Sequence, residues 1–541
     1  MLKHFSPWIS LICFSNVLFW CAGCDTSDDD VDLYNSPVFY PEASPWPEVS
    51  DTLPECHNDG GVWEEPDLAP AQGLVRFELS AIMQPVGYQE RITVSVYGIG
   101  SDQVDGLLNS PLYVEAEDGV TVIETAPVAS GRAHVIVRFD APGIYELRAS
   151  LGNGDDRDGT VEVEAYETNL PVWEMSLDEV DLNTIIDNPK ERIKVPAAIT
   201  IDNQLYETKV RLHGGSSRYY DKKSFRFDLA DNLVLPSGAD HLILRAEWRD
   251  KTMLRNYLAL ELFRNGTWLA TPKAEMVHFR INRRYYGVMW HVERIDGDFL
   301  RSRGLNTKGS MYEADPSADY WIPGGNLTPL ASRTHYEEVY QHQKGLVDYD
   351  DLIALIEDTL QLTERKWREA VTEEIDVNGL MVYMAAMAII QNQDHIKKNY
   401  YIYRDYNGDN RWTIFPWDMD ISFGHLWTEE SDILDETILT DEVLYIGIRV
   451  PDHDYYNQLM SRLWRVPEFD SLFRDYLDHI IDNVFTLEFI DARIDNALCL
   501  ARPEIITDKR KRATNQEYLK RIEEIRQFIK ARRSFIQSPA G

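Results

Sequence analysis

The sequence predicts an α+β protein in which an all-β region precedes a larger part that mixes strands and helices. Residues 73 to 166 contain short runs rich in β-branched and aromatic residues, many alternating apolar with polar, separated by turn residues. From about Thr168 onward, strand-like runs alternate with amphipathic or apolar helix-like stretches. The chain has 541 residues, 44% hydrophobic and 27% charged. At roughly 100 to 200 residues per domain, this composition predicts several folded domains and argues against a disordered chain or a polytopic membrane protein.

The charge balance bears on the partners of the protein. Lys and Arg together number 54 and Asp and Glu 90, which gives a formal net charge of −36. A surface this negative repels phosphate backbones and anionic lipid head groups. We therefore expect no nucleic-acid partner.

The first residues predict export and a lipid anchor. Lys3 precedes an apolar run, Phe5 to Trp20, that is too short for a stable spanning helix and is typical of a secretory signal. The run ends in Cys21-Ala22-Gly23-Cys24, which resembles the lipobox of bacterial lipoproteins. The resemblance implies removal of residues 1–23, acylation of Cys24, and a membrane-anchored lipoprotein of the cell envelope facing the periplasm or the exterior. Leucine is usual where Cys21 stands, so a conventional cleaved signal remains an alternative.

Residues 24–72 are predicted to be a disordered acidic, proline-rich tether. The segment is rich in Asp, Pro, Ser and Glu and has little apolar periodicity, so it offers little surface to bury against its ordering entropy. Cys56 lies in this segment. If Cys24 carries lipid, Cys56 and Cys499 are either free thiols or one disulfide, and the sequence does not decide between these states.

Residues 73–166 are predicted to form an antiparallel β-sandwich. The strand-like runs LVRFELSA, RITVSVYG, AHVIVRF, GIYELRAS and GTVEVEAY follow one another at short intervals. The stretch APGIYEL, residues 141 to 147, resembles a strand signature of bacterial immunoglobulin-like modules, which implies an immunoglobulin-like sandwich. A spacer is the simpler role, and adhesion or substrate presentation is the alternative.

The remaining part, residues 167–541, is predicted to be one mixed domain with a helical C-terminal part. ETKVRLHG and KSFRFDL predict strands, TMLRNYLALELFRN an amphipathic helix, and EMVHFRINRRYYGVMWHVERI a hairpin leading into a strand. NGLMVYMAAMAIIQNQD predicts a buried helix. YYIYRDYNGDNRWTIFPWDMD predicts a second hairpin, with its tight turn at Asn407-Gly408.

Acidic residues follow two of these apolar elements in a pattern typical of phosphoryl transfer. Asp394 follows the buried helix, and Asn399 comes five positions later, the spacing of the protein-kinase catalytic loop. Asp418 and Asp420 follow the second hairpin and supply carboxylates of the kind that Mg²⁺ prefers. Either element alone is more often a solvated cap or loop. Their order and spacing together favour a phosphoryl-transfer site.

These residues lie in a segment that resembles the CotH kinase family, named for spore coat protein H. NQDHIKKNYYIYRD and RWTIFPWDMDISFG look like the core motif of the family. KVRLHGGSSRYYDKKSFRFDL, LRAEWRDKTMLRNYLALELFRN and KGSMYEAD resemble further motifs in the family's order, so the resemblance covers roughly residues 168 to 535. It implies an atypical, two-lobed protein-kinase-like fold, ATP with Mg²⁺ (or Mn²⁺) as cofactors, and a secreted or envelope protein as acceptor.

The resemblance also implies roles for individual residues of the core motif. Asp394 becomes the catalytic Asp, Asn399 its metal-side partner, Asp418 the principal metal ligand and Asp420 a second carboxylate. The cation that grips phosphate is expected to be Lys222 or Lys223, and strand parity leaves both open.

Other expected positions surround the nucleotide. Gly214, Gly215 and Ser216 form a turn whose backbone N–H groups could cover phosphates, with an ordinary turn as the alternative. Glu261 is expected to pair with the lysine, as the helix glutamate does in kinases, or to be a surface residue. Glu293 is expected at the hinge near the nucleotide base, or as a cap of a turn.

Two classes of function follow. The first is an active, extracytoplasmic, lipid-anchored kinase that phosphorylates a protein hydroxyl. The second is a catalytically silent, kinase-like surface or spore-coat protein that binds a partner. The presence of Asp394, Asn399 and Asp418 together favours the enzyme.

Overall fold

The computed structural model describes residues 45–50, 52–56, 63–230, 233–235, 238–315, 324–345, 348–392, 394–425 and 457–538. Within these ranges the chain is an α+β protein with a β-rich N-terminal region, as predicted. The expected signal sequence and Cys24 lie outside the described residues. Among the described residues, no helix is both long and apolar enough to cross a bilayer.

The N-terminal region consists of two β-sheets that share one apolar core. One sheet has the order β1-β9-β8-β5, with β3 added beside β9, and the other has the order β2-β4-β7-β6. Alternate residues such as Val94, Val137, Leu147 and Val163 point into the shared core, because successive strand residues face opposite sides of a sheet. An immunoglobulin-like topology stays a prediction. The strands are β1 Gln72–Gly73, β2 Val75–Glu78, β3 Met83–Pro85, β4 Gln89–Val96, β5 Leu112–Ala116, β6 Val120–Thr125, β7 Arg132–Phe139, β8 Gly143–Leu151 and β9 Asp158–Tyr166.

A closed barrel of seven strands follows, in the order β10-β11-β12-β13-β14-β16-β15. The parallel pairing of β10 with β15 closes it. The predicted hairpin is confirmed as β15 and β16. A 3₁₀ turn at Ser216–Tyr219 joins β12 to β13. The elements are β10 Val172–Ser176, α1 Glu179–Asp187, β11 Val195–Ile201, β12 Gln204–Leu212, β13 Phe225–Leu229, β14 His241–Arg245, α2 Arg255–Gly266, β15 Ala274–Ile281 and β16 Arg284–Val292.

The third part packs helices around a four-stranded antiparallel sheet with the order β18-β17-β19-β20. The elements are α3 Gly297–Ser302, β17 Ser310–Ala314, α4 Arg333–Val339, β18 Tyr340–Lys344, α5 Asp350–Ile353, a π-helical turn Ala354–Thr359, α6 Glu364–Glu374, α7 Val377–Ile390, β19 Tyr400–Arg404, β20 Trp412–Pro416, α8 Gln458–Trp464, α9 Pro467–Asn483, α10 Leu487–Thr507 and α11 Asn515–Ile536.

Helix α7 and the β19–β20 hairpin position the candidate site, and both were predicted. All 14 residues of α7 are buried, because the helix is apolar on every face and the other helices surround it. Asp376 caps the N-terminus of the helix, with a side chain that accepts a hydrogen bond from the N–H of Gly379. It ends at Gln391, in a left-handed conformation with φ of 52°.

Part of the predicted tether is ordered on the C-terminal helices, which corrects that prediction for residues 45–50 and 52–56, here called the N-terminal strap. The prediction is also corrected for residues 63–72, where Trp63 stacks on Tyr518 of α11. Trp46 stacks on His479 of α9 with ring centroids 3.6 Å apart. Cys56 forms a disulfide with Cys499 of α10, which answers the question that the sequence left open. The strap holds because an aromatic anchor and a covalent bond offset the ordering entropy of this polar segment.

Candidate active site

A cleft with a volume of about 230 Å³ lies between the barrel and the four-stranded sheet. Strands β12 to β14 supply one wall, and β17 to β19 with the loops after α7 and β20 supply the other. Most of the expected site residues line it: Gly214, Gly215, Ser216, Lys222, Asp394, Asn399, Asp418 and Asp420. Lys223, Glu261 and Glu293 do not line it.

The loop after α7 holds Asp394 in a fixed backbone conformation. The side-chain oxygen of Asn392 accepts hydrogen bonds from the N–H groups of Asp394 and His395, each at 3.0 Å. The carbonyl of Asp394 accepts from the N–H of Lys398 at 3.1 Å. His395 is buried behind the loop, and burial lowers its pKa to about 3. The imidazole is therefore neutral.

Asn399 connects the two acidic motifs. Its side-chain amide donates to the Asp394 carboxylate at 3.4 Å and to the backbone carbonyl of Asp418 at 3.2 Å. The ammonium of Lys398 lies 3.0 Å from the Asp394 carboxylate. The Asp394 side chain is 3% exposed and that of Lys398 16%. The residues that the sequence paired by spacing are therefore in direct contact.

Asp418 and Asp420 lie in a group of carboxylates that includes Glu247. Asp418 forms an ion pair with Arg245, whose Nε also lies 2.7 Å from the carboxylate of Glu247. Burial raises the pKa of Asp420, and the negative charges of Asp418 and Glu247 raise it further. A divalent cation would relieve this repulsion, and hard carboxylate oxygens are the ligands that Mg²⁺ and Mn²⁺ take. Asp418, Asp420 and Asn399 therefore offer oxygen ligands of the kind that the expected metal takes, and their binding of it stays a prediction.

Arginines, rather than lysines, supply most of the positive charge in the cleft. Arg192, Arg211, Arg226 and Arg294 line it. Burial lowers the pKa of Arg211 to about 10, and the neighbouring guanidinium groups of Arg226 and Arg192 add to this effect. Such crowding of like charges is costly unless an anion compensates it. The wall formed by β12, β13 and the loop after β16 is therefore suited to phosphate.

The two candidate lysines are engaged elsewhere. The Lys222 ammonium lies 2.6 Å from the carboxylate of Asp508, and both side chains are fully buried. It also donates to the carbonyl of Val288. The ammonium of Lys223 donates to the carbonyl of Arg218 at 2.9 Å. Lys222 lines the cleft, but Asp508 already neutralises the positive charge of its ammonium group.

The expected pairing of Glu261 with a lysine is wrong. Its carboxylate lies 2.7 Å from Arg264 and 3.1 Å from Arg493 of α10. This face of α2 packs against the C-terminal helices, so Glu261 points away from the cleft. The acidic partner of the lysine is Asp508, just beyond α10, which sequence spacing alone could not show.

Glu293 is placed away from the candidate site. Its carboxylate lies 2.6 Å from Arg303 and lines a separate cavity of about 980 Å³. Glu293 directly follows β16, where the chain turns towards α3, and the Arg303 guanidinium stacks on the ring of Phe299. Glu293 therefore does not line the cleft itself, although the next residue, Arg294, lines both cavities, and a place of Glu293 near the nucleotide base stays a prediction.

The Gly-Ser turn does border the cleft. Gly214 has φ of 95°, and a Cβ there would approach Ser217 Oγ to 1.9 Å, so glycine is required. The following residues form the 3₁₀ turn Ser216–Tyr219. A contact of Gly215 or Ser216 with phosphate stays a prediction.

Sequence reasoning missed Arg245 and Glu247, as well as Glu313 and Asp315. The first two lie in RAEWRD, directly at the end of the apolar strand β14, and the second two lie in the stretch MYEAD at the end of β17. Charged residues at the end of a buried strand were the available signal. The same signal predicts the site residues of the segment Asp418-Met419-Asp420.

Comparison with known proteins gives three findings. The sequence model of the CotH kinase protein family matches residues 210–536. The inner spore coat protein H of Bacillus subtilis (strain 168) is 24% identical over 376 residues, which covers 69% of this chain and 98% of that protein. A solved complex of HipA, HipB and operator DNA, from a toxin–antitoxin system of Shewanella oneidensis MR-1, covers 70% of this chain and 78% of its own, with 10% identity and a TM-score of 0.30. The family match spans every residue of the cleft named above except Arg192.

Proposed function

This chain belongs to the CotH kinase protein family, and from that membership we propose that it is an extracytoplasmic, lipid-anchored atypical kinase. It transfers the γ-phosphoryl group of ATP to a protein hydroxyl and uses Mg²⁺ or Mn²⁺. The observation that carries the proposal is the contact of Asn399 with both Asp394 and Asp418 in one cleft. That contact joins a residue able to receive a proton to one able to hold a metal.

Different residues of the cleft have different roles in phosphoryl transfer. Asp394 orients the acceptor hydroxyl and receives its proton, and Lys398, 3.0 Å away, fixes the position of its carboxylate. A divalent cation held by Asp418, Asp420 and Asn399 would neutralise charge on the phosphates. These roles account for most of the chemistry because phosphoryl transfer depends on positioning and charge neutralisation.

In this proposal, arginine side chains bind the phosphate groups of ATP. Arg211, Arg245 and Arg294 line the cleft, and a guanidinium offers planar, paired donors that match phosphate oxygens. The ammonium of Lys222 supports the barrel wall instead, through its buried pair with Asp508.

One observation favours the silent alternative. Asp418 is already paired with Arg245, so its charge is compensated by the protein itself. A binding protein could keep this ion pair permanently as a link between the barrel and the sheet. The enzyme must exchange it for a metal.

The test is phosphoryl transfer by the full chain. The protein is incubated with γ-labelled ATP and Mg²⁺, alone and with envelope or spore-coat proteins, and phosphosites are mapped by mass spectrometry. Metal-dependent label on serine, threonine or tyrosine supports the kinase. Binding of Mg-ATP without transfer to any protein supports the silent alternative.

The proposed location is the cell envelope, with a lipid on Cys24. The curated relative is named as a spore coat protein, which is compatible with an envelope or coat association. Cys24→Ser should move the protein from membranes to the soluble fraction, because acyl chains supply about 0.8 kcal/mol for each buried CH₂ group. Unchanged fractionation with an uncleaved precursor would contradict lipid anchoring.

A further inference from the structure

Asn256, on the first turn of α2, contacts the segment that contains Asp418 and Met419 from outside the cleft. Its side chain is buried, with 3% of the residue exposed. The amide nitrogen donates to the carboxylate of Glu247 at 3.0 Å, and the amide oxygen accepts from the backbone N–H of Met419 at 3.0 Å. The carboxylate can only accept and the N–H can only donate, so both bonds fix the same orientation of the amide.

The contacts of Asn256 and Asn399 meet on one peptide group. Asn399 donates to the carbonyl of Asp418 at 3.2 Å, and Asn256 accepts from the N–H of Met419 at 3.0 Å. These two groups are the ends of the peptide bond between Asp418 and Met419. Two asparagine side chains therefore hold this peptide, one at each end.

This peptide needs support because Asp418 has a left-handed backbone conformation with φ of 52°. A residue other than glycine adopts that region at an energetic cost, and the conformation persists where the surrounding contacts hold it. The orientation of the peptide sets the direction in which the Asp418 carboxylate leaves the backbone. The carboxylate thereby reaches Arg245 and the interior of the cleft.

We propose that Asn256 is a positioning residue, which fixes the Asp418–Met419 peptide and so aims the Asp418 carboxylate at a divalent cation. Asn399 contributes from inside the cleft and Asn256 from the side of helix α2. An amide is suited to this position because one bond requires a donor and the other an acceptor. The carboxylate of Glu247 fixes the orientation of the Asn256 amide. The same carboxylate lies 2.7 Å from Nε of Arg245. The part concerning the cation rests on the proposed function.

The same helix offers a matched control. Asn265, at the other end of α2, is also buried, with 6% exposed. It accepts from the N–H of Ser50 in the strap at 2.9 Å and donates to the carbonyl of Glu261 at 2.8 Å. Asn256→Ala and Asn265→Ala therefore remove the same group from the same helix, but only the first touches the Asp418 segment.

Two measurements on the full chain decide the proposal. Amide hydrogen exchange at Met419 should accelerate about tenfold or more in Asn256→Ala and stay within about twofold of the parent in Asn265→Ala. Mn²⁺ affinity should fall roughly 10 to 100-fold in Asn256→Ala, the usual effect of losing a group that orients a metal ligand, and stay unchanged in Asn265→Ala. If Asn256→Ala does not fold, Asn256→Leu keeps the branched shape of the side chain without its polar atoms and should give the same losses.

A conservative variant adds a rescue. The rescue is partial: Asn256→Asp retains an oxygen for the Met419 N–H but sets a carboxylate against that of Glu247, so exchange at Met419 should be slower than in Asn256→Ala and faster than in the parent. Unchanged exchange in Asn256→Ala would overturn the inference, as would equal effects in both alanine variants. If the parent binds no Mn²⁺, the proposed function is contradicted, while exchange at Met419 still decides the role of Asn256.

Discussion

The guanidinium of Arg245 forms an ion pair with the carboxylate of Asp418. Arg245 ends β14 of the barrel and Asp418 follows β20 of the sheet, so this contact joins the two walls of the cleft. The Arg245 side chain is 12% exposed and that of Asp418 32%. Asp418 is therefore the more exposed partner, and Arg245 is also held by Glu247 at 2.7 Å. A divalent cation at Asp418 would therefore have to displace this ion pair.

Asp418→Asn is expected to abolish magnesium-dependent nucleotide binding while the fold is retained. The change is nearly isosteric and removes one negative charge from a group of carboxylates that a cation would neutralise. Thermal unfolding with and without Mg-ATP measures the effect. Asp409→Asn, in the exposed turn of the β19–β20 hairpin, is the control and should keep the ligand-induced shift. A shift of normal size in Asp418→Asn would show that Asp418 is not the ligand.

Stability should depend on pH through Glu313. Burial, and secondly the charge of Asp315, raises its pKa from 4.5 to about 7. The folded protein therefore holds this proton more tightly than the unfolded chain, and stability falls as pH rises from 4.5 to 7. Tyr401 and Arg294 oppose the shift, and Asp418 adds to it.

Glu313→Gln should remove about 1 to 3 kcal/mol of that pH-dependent loss. In the absence of divalent metal, the unfolding midpoints of the variant and the parent should agree near pH 4.5 and diverge towards pH 8, with the variant more stable. Glu115→Gln, on the exposed side of β5, should follow the parent. Parallel curves for Glu313→Gln and the parent would contradict the shift.

The disulfide between Cys56 and Cys499 should stabilise the protein by about 2 to 4 kcal/mol. It joins residues separated by 443 positions, so its loss frees a large number of unfolded conformations. Cys56→Ser and Cys499→Ser should lower the unfolding midpoint equally, and the double variant should lose no more. A reductant should lower the midpoint of the parent to the same value. Unequal losses in the two single variants would mean that each serine lowers stability at its own position and not only through loss of the disulfide.

The sequence predicted those parts of the fold that depend on local pattern. Helix α7 was predictable because residues 377–390 are apolar on every face, and the β19–β20 hairpin because Asn407-Gly408 suits a tight turn. Asp394 and Asp418 could be assigned to one site because each follows such an element. The resemblance to the CotH kinase family then implied a separate role for each of the two residues.

Contacts between distant parts of the chain were not predictable. Lys222 pairs with Asp508, 286 positions away, and Glu261 with Arg493, 232 positions away. Such pairs depend on how α10 packs against the barrel and α2, and a spacing rule carries no information about that packing. The same limit applies to Asn256 and to the strap, whose polar composition concealed the anchor that Trp46 provides.

The central claim is that Asp394 serves transfer while Asp418 serves binding, and Asp394→Asn tests it most directly. A positioned base contributes about 10² to 10⁴-fold to the rate, so the variant should lose that factor in transfer of the γ-phosphoryl group. Its Mg-ATP affinity should stay within a few-fold of the parent. A residue that only caps the loop after α7 would instead lose about 0.5 to 2 kcal/mol of stability with an unchanged rate.

The decisive measurement is the rate of label transfer per folded molecule, with nucleotide affinity measured on the same sample. We expect a loss of at least about 10²-fold in rate with binding preserved. A stable Asp394→Asn protein that transfers phosphate at the parental rate would contradict the account.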